Sequence, residues 1–592
     1  MQGITYVVDS GRQKCRNYHA GTGVASYDVM WISKAAADQR AGRAGRTGPG
    51  HCYRLYSSSV YSRYLDEFAI PEVLTRPLED IVLAMKAMHV SNVTSFPFPT
   101  APQQSQINAA VRLLANLGCV DISRVEEQGG DGKITQLGAA VAKLPLGVRY
   151  GKMLLVASQA NVLDYAIVLV AVLSEATPFV HHTEKIDESD ASSKSNNEDL
   201  KDMDEIDKML QAETESRRTT KAKWMHEGGD ILAAVKAVGA YAYAGRGAGG
   251  SSEMLACRKF CEENGLNLVV MQRIAKMRLH LCKLAKNRLP HARGVAAETG
   301  TYLPSMSPPK RIHECLLRQA IASGLLDNIA RRAPPGLLPA EFSDIPRSAY
   351  ICGNSSLKEP LFIDNNSIMH SMRPEWVCFD SIVRKTKKDG TTIATMQKVT
   401  PIDADWIAGI CHGSNLMTLG SALTSPAPRY VKEKDSIQCP VETKFGGHGW
   451  DIPPYYVDMY DLIEKENKSG QRKQGSVRKD DSFRWFARYL LEGKVLSELS
   501  SLLSILNDEP AIITRRKPMK KVLIIVSTLS EAGVDSAAAL RKHWAEKDDK
   551  FLFKAIKPWV AQESVEEAKR IWIAAVKTNI EVWRNEGKGL GT

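Results

Sequence analysis

Between Leu74 and Leu146, apolar residues recur at the three- and four-residue spacing that gives a helix one hydrophobic face. Leu78, Ile81, Val82, Met85 and Met88 form one stripe, and Ile107 to Leu117 forms another that Gly118 ends before Cys119-Val120. A polar turn, Glu126 to Gly132, then precedes Lys133-Ile134-Thr135, so the stretch predicts a small α/β unit. Leu144-Pro145-Leu146 opens a longer helical region. Met153 to Ala160 and Tyr165 to Leu173 supply core-facing helices, and Phe260-Cys261 through Leu284 continues the region. From Arg311 to about Arg429 the pattern changes to short apolar runs separated by turns, which predicts a small β-barrel. Its expected strands are Tyr350-Ile351, Leu361 to Ile363, Trp376 to Phe379, Thr391 to Ile393 and Met396 to Ile402. Phe483 to Leu499 is again amphipathic, and Phe551, Phe553 and Trp559 are candidate anchors of a compact α-rich module.

Composition narrows the possibilities. A chain of 592 residues holds roughly three to five domains, and 44% hydrophobic content is ample for their cores. The formal charge of +11, from 78 basic and 67 acidic residues, favours a polyanionic partner. No apolar run approaches the roughly 20 residues of a spanning helix, and Met1 is followed by a polar, strand-like segment unlike a secretory signal. A membrane partner is therefore not expected. The 11 cysteines include no C-x-x-C pair, so the expectation is reduced thiols, without a zinc site or other metal centre. His181 to Arg217, rich in Asp, Glu, Ser and Asn, reads as a solvated acidic insertion.

The richest chemistry lies in Gln39 to Gly50, QRAGRAGRTGPG. Ser33 suits an N-cap, Lys34 to Ala41 favours helix, and Gly48-Pro49-Gly50 stops the run. On one helix Gln39, Arg43 and Arg46 fall at i, i+4 and i+7, while Gly42 and Gly45 leave room for an approaching surface. Two guanidinium forks on one face suit a polyphosphate, and an arginine-rich solvated helix is the alternative.

These residues carry a family resemblance. YVVDSG (Tyr6 to Gly11) and ISKAAADQRAGRAGRTGPGHCYRLY (Ile32 to Tyr56) resemble the end of the second RecA-like domain of DEAH-box RNA helicases. The resemblance implies that Tyr6 to Asp9 is a core strand and that Lys14 to Trp31 is a hairpin turning at Ala20-Gly21-Thr22-Gly23. It also implies that Gln39, Gly42, Arg43 and Arg46 line a nucleotide site, with Arg43 and Arg46 reaching the γ-phosphate catalytically. PEVLTRPLEDIVLAMKAM and LLANLGCVD resemble the family's winged-helix domain, and the helices after Leu146 resemble its ratchet-like bundle. PEWVCFDSIVRKTKK and VTPIDADWI resemble its OB-fold phrases, which makes Arg384, Lys385, Lys387 and Lys388 candidate RNA-backbone contacts, with a solvated basic turn as the alternative. GGHGWDIPPYYVDMY, FRWFARYLLEGKVLSEL and HWAEKDDKFLFKAIKPWV resemble the tail of the nucleolar member that acts in the small-subunit processome. Arg515-Arg516-Lys517 and Lys520-Lys521 are candidate rRNA contacts or a nuclear address.

The expected fold class is a multidomain α/β and α+β chain. It comprises part of a RecA-like domain (1–70), a winged helix (71–145) and a helical bundle (146–290) with an acidic insertion (181–217). An OB-fold barrel (291–435) and an α-rich extension (436–592) complete it. The chain contains neither G-x-x-x-x-G-K-[ST] nor DEAH, so the expectation is a helicase's C-terminal part that does not turn over ATP alone. In the intact enzyme the resemblance implies ATP and Mg²⁺ as cofactors and N-terminal helicase domains in cis. Pre-rRNA, small nucleolar RNA and pre-ribosomal assembly proteins are the implied partners, and the nucleolus or nucleus the location. The alternatives are a non-enzymatic RNA-binding or ribosome-assembly module and a DEAH helicase of pre-mRNA splicing.

Overall fold

The computed structural model describes residues 4–19, 24–46, 48–69, 71, 73, 78–122, 131–180, 222–245, 251–289, 307–334, 349–355, 357–386, 392–469, 477–515 and 519–588. The acidic insertion and the turn at Ala20 to Gly23 lie outside them. The chain divides into two compact units, Met1–Met417 with Phe445–Gly449, and Thr418–Lys444 with Trp450–Thr592.

In the first unit β1 (Tyr6–Asp9) pairs in parallel with β4 (His51–Arg54), with Val8 opposite Tyr53. Between them run an antiparallel hairpin, β2 (Arg12–His19) and β3 (Val24–Trp31), and helix α1 (Lys34–Ala41). Helix α2 (Ser58–Arg63) follows. The expected core strand β1 buries only its Asp9 end, because Tyr6, Val8, Tyr53 and Leu55 share one uncovered face of this two-stranded sheet.

Helices α3 (Glu79–Ala87) and α4 (Gln104–Asn116), strands β5 (Val120–Asp121) and β6 (Lys133–Ile134) and helix α5 (Gln136–Ala142) form the next part. Gly118, at φ +73°, ends α4 where the apolar stripe stops. The hydroxyl of Thr135 caps α5 by accepting from Gly138 N at 3.0 Å. The bundle consists of α6 (Val148–Gln159), α7 (Leu163–Ser174), α8 (Asp230–Ala244), α9 (Ser251–Glu263) and α10 (Leu268–Arg288). Helix α7 is apolar nearly all round and packs against α6, α8 and α10, as a central helix must.

After helix α11 (Arg311–Gly324) come β7 (Ile329–Arg332), β8 (Ala349–Cys352), β9 (Leu361–Ile363), β10 (Trp376–Cys378), β11 (Ser381–Thr386), β12 (Thr392–Gln397) and β13 (Thr400–Pro401). They form one sheet in the order β11-β12-β9-β8-β7-β10-β13, and a short helix, α12 (Ala404–Ile410), follows. Among the described residues β11 and β13 do not pair, so the expected barrel is an open, curled-order sheet. Two strands escape a reading of apolar runs. Charged β11 is an edge strand, where Arg and Lys are tolerated, and β7 ends in Arg331-Arg332. The two expected runs from Thr391 to Ile402 are instead β12 and β13, parted at Lys398, which takes φ +52°.

Bundle and sheet interlock. Asp230, the first residue of α8, accepts from the backbone amides of Ile368 and Val399, both at 2.8 Å, and from the Ser367 hydroxyl at 2.7 and 2.9 Å. In return, Lys398 donates its ammonium to the carbonyls of Leu173 and Glu175, both at 2.7 Å, and of Val172 at 3.3 Å. A half-buried cation thus closes the C-terminal end of α7, where the helix leaves carbonyls unpaired.

The second unit opens with a four-stranded sheet: β14 (Met417–Ala422), β15 (Arg429–Val431), β16 (Ser436–Phe445) and β17 (Trp450–Asp458). Helices α13 (Met459–Ser469), α14 (Lys479–Leu491), α15 (Lys520–Ala532), α16 (Ala537–Glu546), α17 (Phe553–Ile556) and α18 (Val565–Lys588) follow. Phe486, Leu490 and Trp559 are fully buried in its core. The amphipathic run from Phe483 breaks at Gly493, at φ +67°, and resumes as a 3-10 segment, Ser497–Ile505. Among the described residues no single helix is long and apolar enough to cross a membrane.

Candidate nucleotide and RNA sites

Helix α1 starts as its sequence requires, with the Ser33 hydroxyl accepting from Ala36 N at 3.1 Å. Ile32, Ala37 and Leu65 form its small core, joined by Trp31, Tyr56, Val60 and Tyr61. One flank is tied to the end of β1. The buried Asp9 carboxylate accepts from Arg40 Nη1 at 2.7 Å, the Tyr56 hydroxyl at 3.0 Å and Gly11 N at 3.0 Å. Burial pushes this carboxyl up, but the Gly11 amide, the Arg40 guanidinium and the Tyr56 hydroxyl together hold it below its usual range. Burial and the Asp9 carboxylate push the Tyr56 phenol to about 12. Gly11, at φ +69°, is required here because a Cβ would stand 2.7 Å from the Tyr56 ring. The other flank is tied through Asp38, which accepts from Arg54 at 2.7 Å and from the Tyr61 hydroxyl at 3.2 Å.

The helix does not continue as expected. It ends at Ala41, with Gly42 as C-cap, and tighter bonds run from Arg43 N to Arg40 O and from Ala44 N to Ala41 O, both 3.1 Å. Gln39, Arg43 and Arg46 therefore do not share one helical face. Gly42 and Gly45 explain the change, since each costs about 1 kcal/mol in a helix interior. Gln39 stays on the last turn, and the two arginines project from the loop beyond it. Gln39, Gly42, Arg43 and Arg46 are all exposed, and neither arginine pairs with a carboxylate among the described residues. The structure thus sorts the arginines: Arg40 and Arg54 hold the fold, while Arg43 and Arg46 keep free forks suited to phosphate. The role of Arg40 is invisible in the repeated QRAGRAGR spacing. Its signal is the lone acid ending the apolar strand YVVD.

No group of three or more His, Cys, Asp or Glu among the described residues could hold a metal ion. The two exposed guanidiniums match the charge of a phosphate.

The second candidate site lies at the edge of the large sheet. Arg384 is held by Glu359, with Nη2 at 2.5 Å and Nε at 3.1 Å from one carboxylate oxygen. Its charge is therefore locally matched. Lys387, Lys388 and the Lys385 side chain lie outside the described residues. Strand β11 runs beside β3, so the edge carrying these candidates adjoins the hairpin.

Comparison with known proteins fits this architecture. Residues 148–234 match the ratchet-like helicase-associated (HA2) domain, 317–413 the oligonucleotide/oligosaccharide-binding (OB) fold, and 498–576 the DEAH helicase DHX37 C-terminal domain. The human protein "Probable ATP-dependent RNA helicase DHX37" is 32% identical over 587 residues, 96% of this chain and 45% of the relative. "ATP-dependent RNA helicase DEAH13" of Arabidopsis thaliana is 30% identical over 97% of this chain and 44% of its own length. "Probable ATP-dependent RNA helicase DHR1" of Saccharomyces cerevisiae is 32% identical over 77% of this chain and 37% of its own length. The chain spans less than half the length of these relatives. A ratchet-like bundle followed by an OB fold, with this run of relatives, makes the chain the C-terminal region of a DEAH-box RNA helicase. Its tail places that region in the DHX37 type.

Proposed function

We propose that this chain serves an ATP-dependent RNA helicase that remodels pre-ribosomal RNA and small nucleolar RNA duplexes during small-subunit assembly in the nucleolus. The observation that carries the catalytic part is the sorting of arginines around α1: two are consumed by Asp9 and Asp38, and two are exposed without a carboxylate partner among the described residues. Free guanidiniums on a loop whose helix is clamped on both flanks are suited to an arginine-finger role. They would neutralise charge on a γ-phosphate held by a P-loop domain, with Gln39 beside them. ATP bound to that other domain would supply the energy of the cycle. Within this chain Arg43 and Arg46 would bind and orient the terminal phosphate, and the Asp9–Arg40 clamp would keep their loop in place. The match to the oligonucleotide-binding fold supports single-strand RNA binding by this sheet. The ribosomal assignment is supported by the DHX37-type tail, which speaks against a splicing helicase.

The test is Arg43→Ala in a polypeptide joining these residues to a P-loop domain. RNA-stimulated ATP turnover should fall by about 10³-fold or more, with RNA affinity nearly unchanged. Ordinary turnover in that variant would remove Arg43 from the nucleotide site.

A further inference from the structure

Helix α10 contains no Asp or Glu, yet Arg273, Lys276, His280, Lys283, Lys286 and Arg288 are all exposed. Arg273, Lys276, His280 and Lys283 follow one another at three- and four-residue intervals, so they form a single stripe. The opposite face carries Val270, Met271, Ile274 and Leu281, which are buried where α10 packs on α7, α8 and α9. The stripe therefore points away from the bundle core. Neighbouring α9 pairs its own Lys259 and Glu263 at 3.9 Å. No carboxylate among the described residues pairs with Arg273, Lys276, Lys283 or Lys286.

Such a stripe has a cost. Like charges three or four residues apart destabilise a helix by about 0.2–0.5 kcal/mol per pair, and a solvated face ordinarily intersperses acids to avoid it. A polyanion lying along the stripe would reverse the sign. From Arg273 to Lys286 the helix rises about 20 Å, the run of several consecutive phosphates along a duplex strand. Helix α10 has no Phe, Tyr or Trp, and the stacking faces in its stripe, Arg273 and His280, stand seven residues apart, about 10 Å along the axis, too far to hold neighbouring unpaired bases. A ligand that turns only backbone outward, with its bases already paired, fits this chemistry better than a single strand.

We propose that the α10 stripe is a docking surface for the phosphate backbone of double-stranded RNA, separate from the OB-fold sheet. Choosing RNA among polyanions rests on the helicase reading above; the stripe itself rests on charge and exposure. The test uses the full chain and its Arg273→Gln/Lys276→Gln/Lys283→Gln variant, with circular dichroism to verify unchanged helix content. Fluorescence anisotropy would follow binding of a blunt RNA duplex of about 20 base pairs, the matching single strand, and poly-glutamate, over a range of salt.

The variant should lose about tenfold or more in duplex affinity, and its log–log salt slope should be shallower by about two to three, while single-strand affinity holds. Unchanged duplex affinity and slope would overturn the proposal and leave the helicase reading intact. So would an equal loss for both RNA forms, or binding of poly-glutamate with no binding of duplex. Failure of the parent chain to bind either RNA would count against both.

Discussion

Replacing Asp230 with asparagine tests the interlock between bundle and sheet at a single atom. One carboxylate oxygen accepts from Ile368 N and the other from Val399 N, each at 2.8 Å. Asparagine keeps the shape but turns one acceptor into a donor, so one amide faces an NH₂ group and the other loses a charged acceptor. An orphaned donor costs about 1–3 kcal/mol and lost charge assistance about 1 more, so the joint should weaken by about 3 kcal/mol. In local opening that is about two decades of hydrogen-exchange protection at the affected amides. Exchange mass spectrometry would read it in peptides covering 361–372 and 392–402, with 479–491 in the second unit as internal control. Gly229→Ala should loosen the same peptides with the carboxylate intact, because its Cβ would stand 2.5 Å from the Val399 carbonyl at φ +93°. Protection in Asp230→Asn unchanged within about threefold would refute the assignment of the joint to these bonds.

Other perturbations probe buried charge. The folded Asp9 carboxyl lies below its ordinary value of 3.8, so its contribution is complete above that pH and is lost as pH falls through the lowered folded value. Arg40→Met should cost about 2 kcal/mol at neutral pH, discounted for the solvent-facing side of Arg40, and flatten the acid limb of thermal melts; an unchanged limb would contradict it. Burial pushes Lys152 from 10.5 down to about 8, so folding is disfavoured by its charge below pH 8 and progressively relieved up to 10.5. Lys152→Met should therefore raise stability by about 2–3 kcal/mol at pH 7, shrinking toward pH 10.5; a loss of stability would show that the ammonium has an essential partner. Phe486→Ala, at a fully buried site, should cost about 3–5 kcal/mol in the second unit's denaturant transition.

How legible these features were in sequence depended on how local their causes are. The N-cap at Ser33, the end of α4 at Gly118 and the helices of the bundle follow from neighbouring residues, and they appear where the pattern puts them. Strand β11 was hidden because its Arg and Lys interrupt the apolar pattern, and pairing with β12 is what makes it a strand. Strands β14, β16 and β17 each contain Gly or Pro, which interrupts the strand pattern, and pairing with β16 assembles β14, β15 and β17 into one sheet. At the candidate nucleotide site, motif spacing found the arginines but not which of them were free. That division is set by Asp9, 31 residues before Arg40, and by Arg54, 16 residues beyond Asp38.

The paired strands β1 and β4 leave Tyr6, Val8, Tyr53 and Leu55 between 56% and 68% exposed on one flat side. Bare greasy ribbons of this kind are glue for their own copies. Preparations of these residues by themselves should clump through this corner, and adding a layer of secondary structure over it, rather than changing the buffer, is the remedy the geometry suggests.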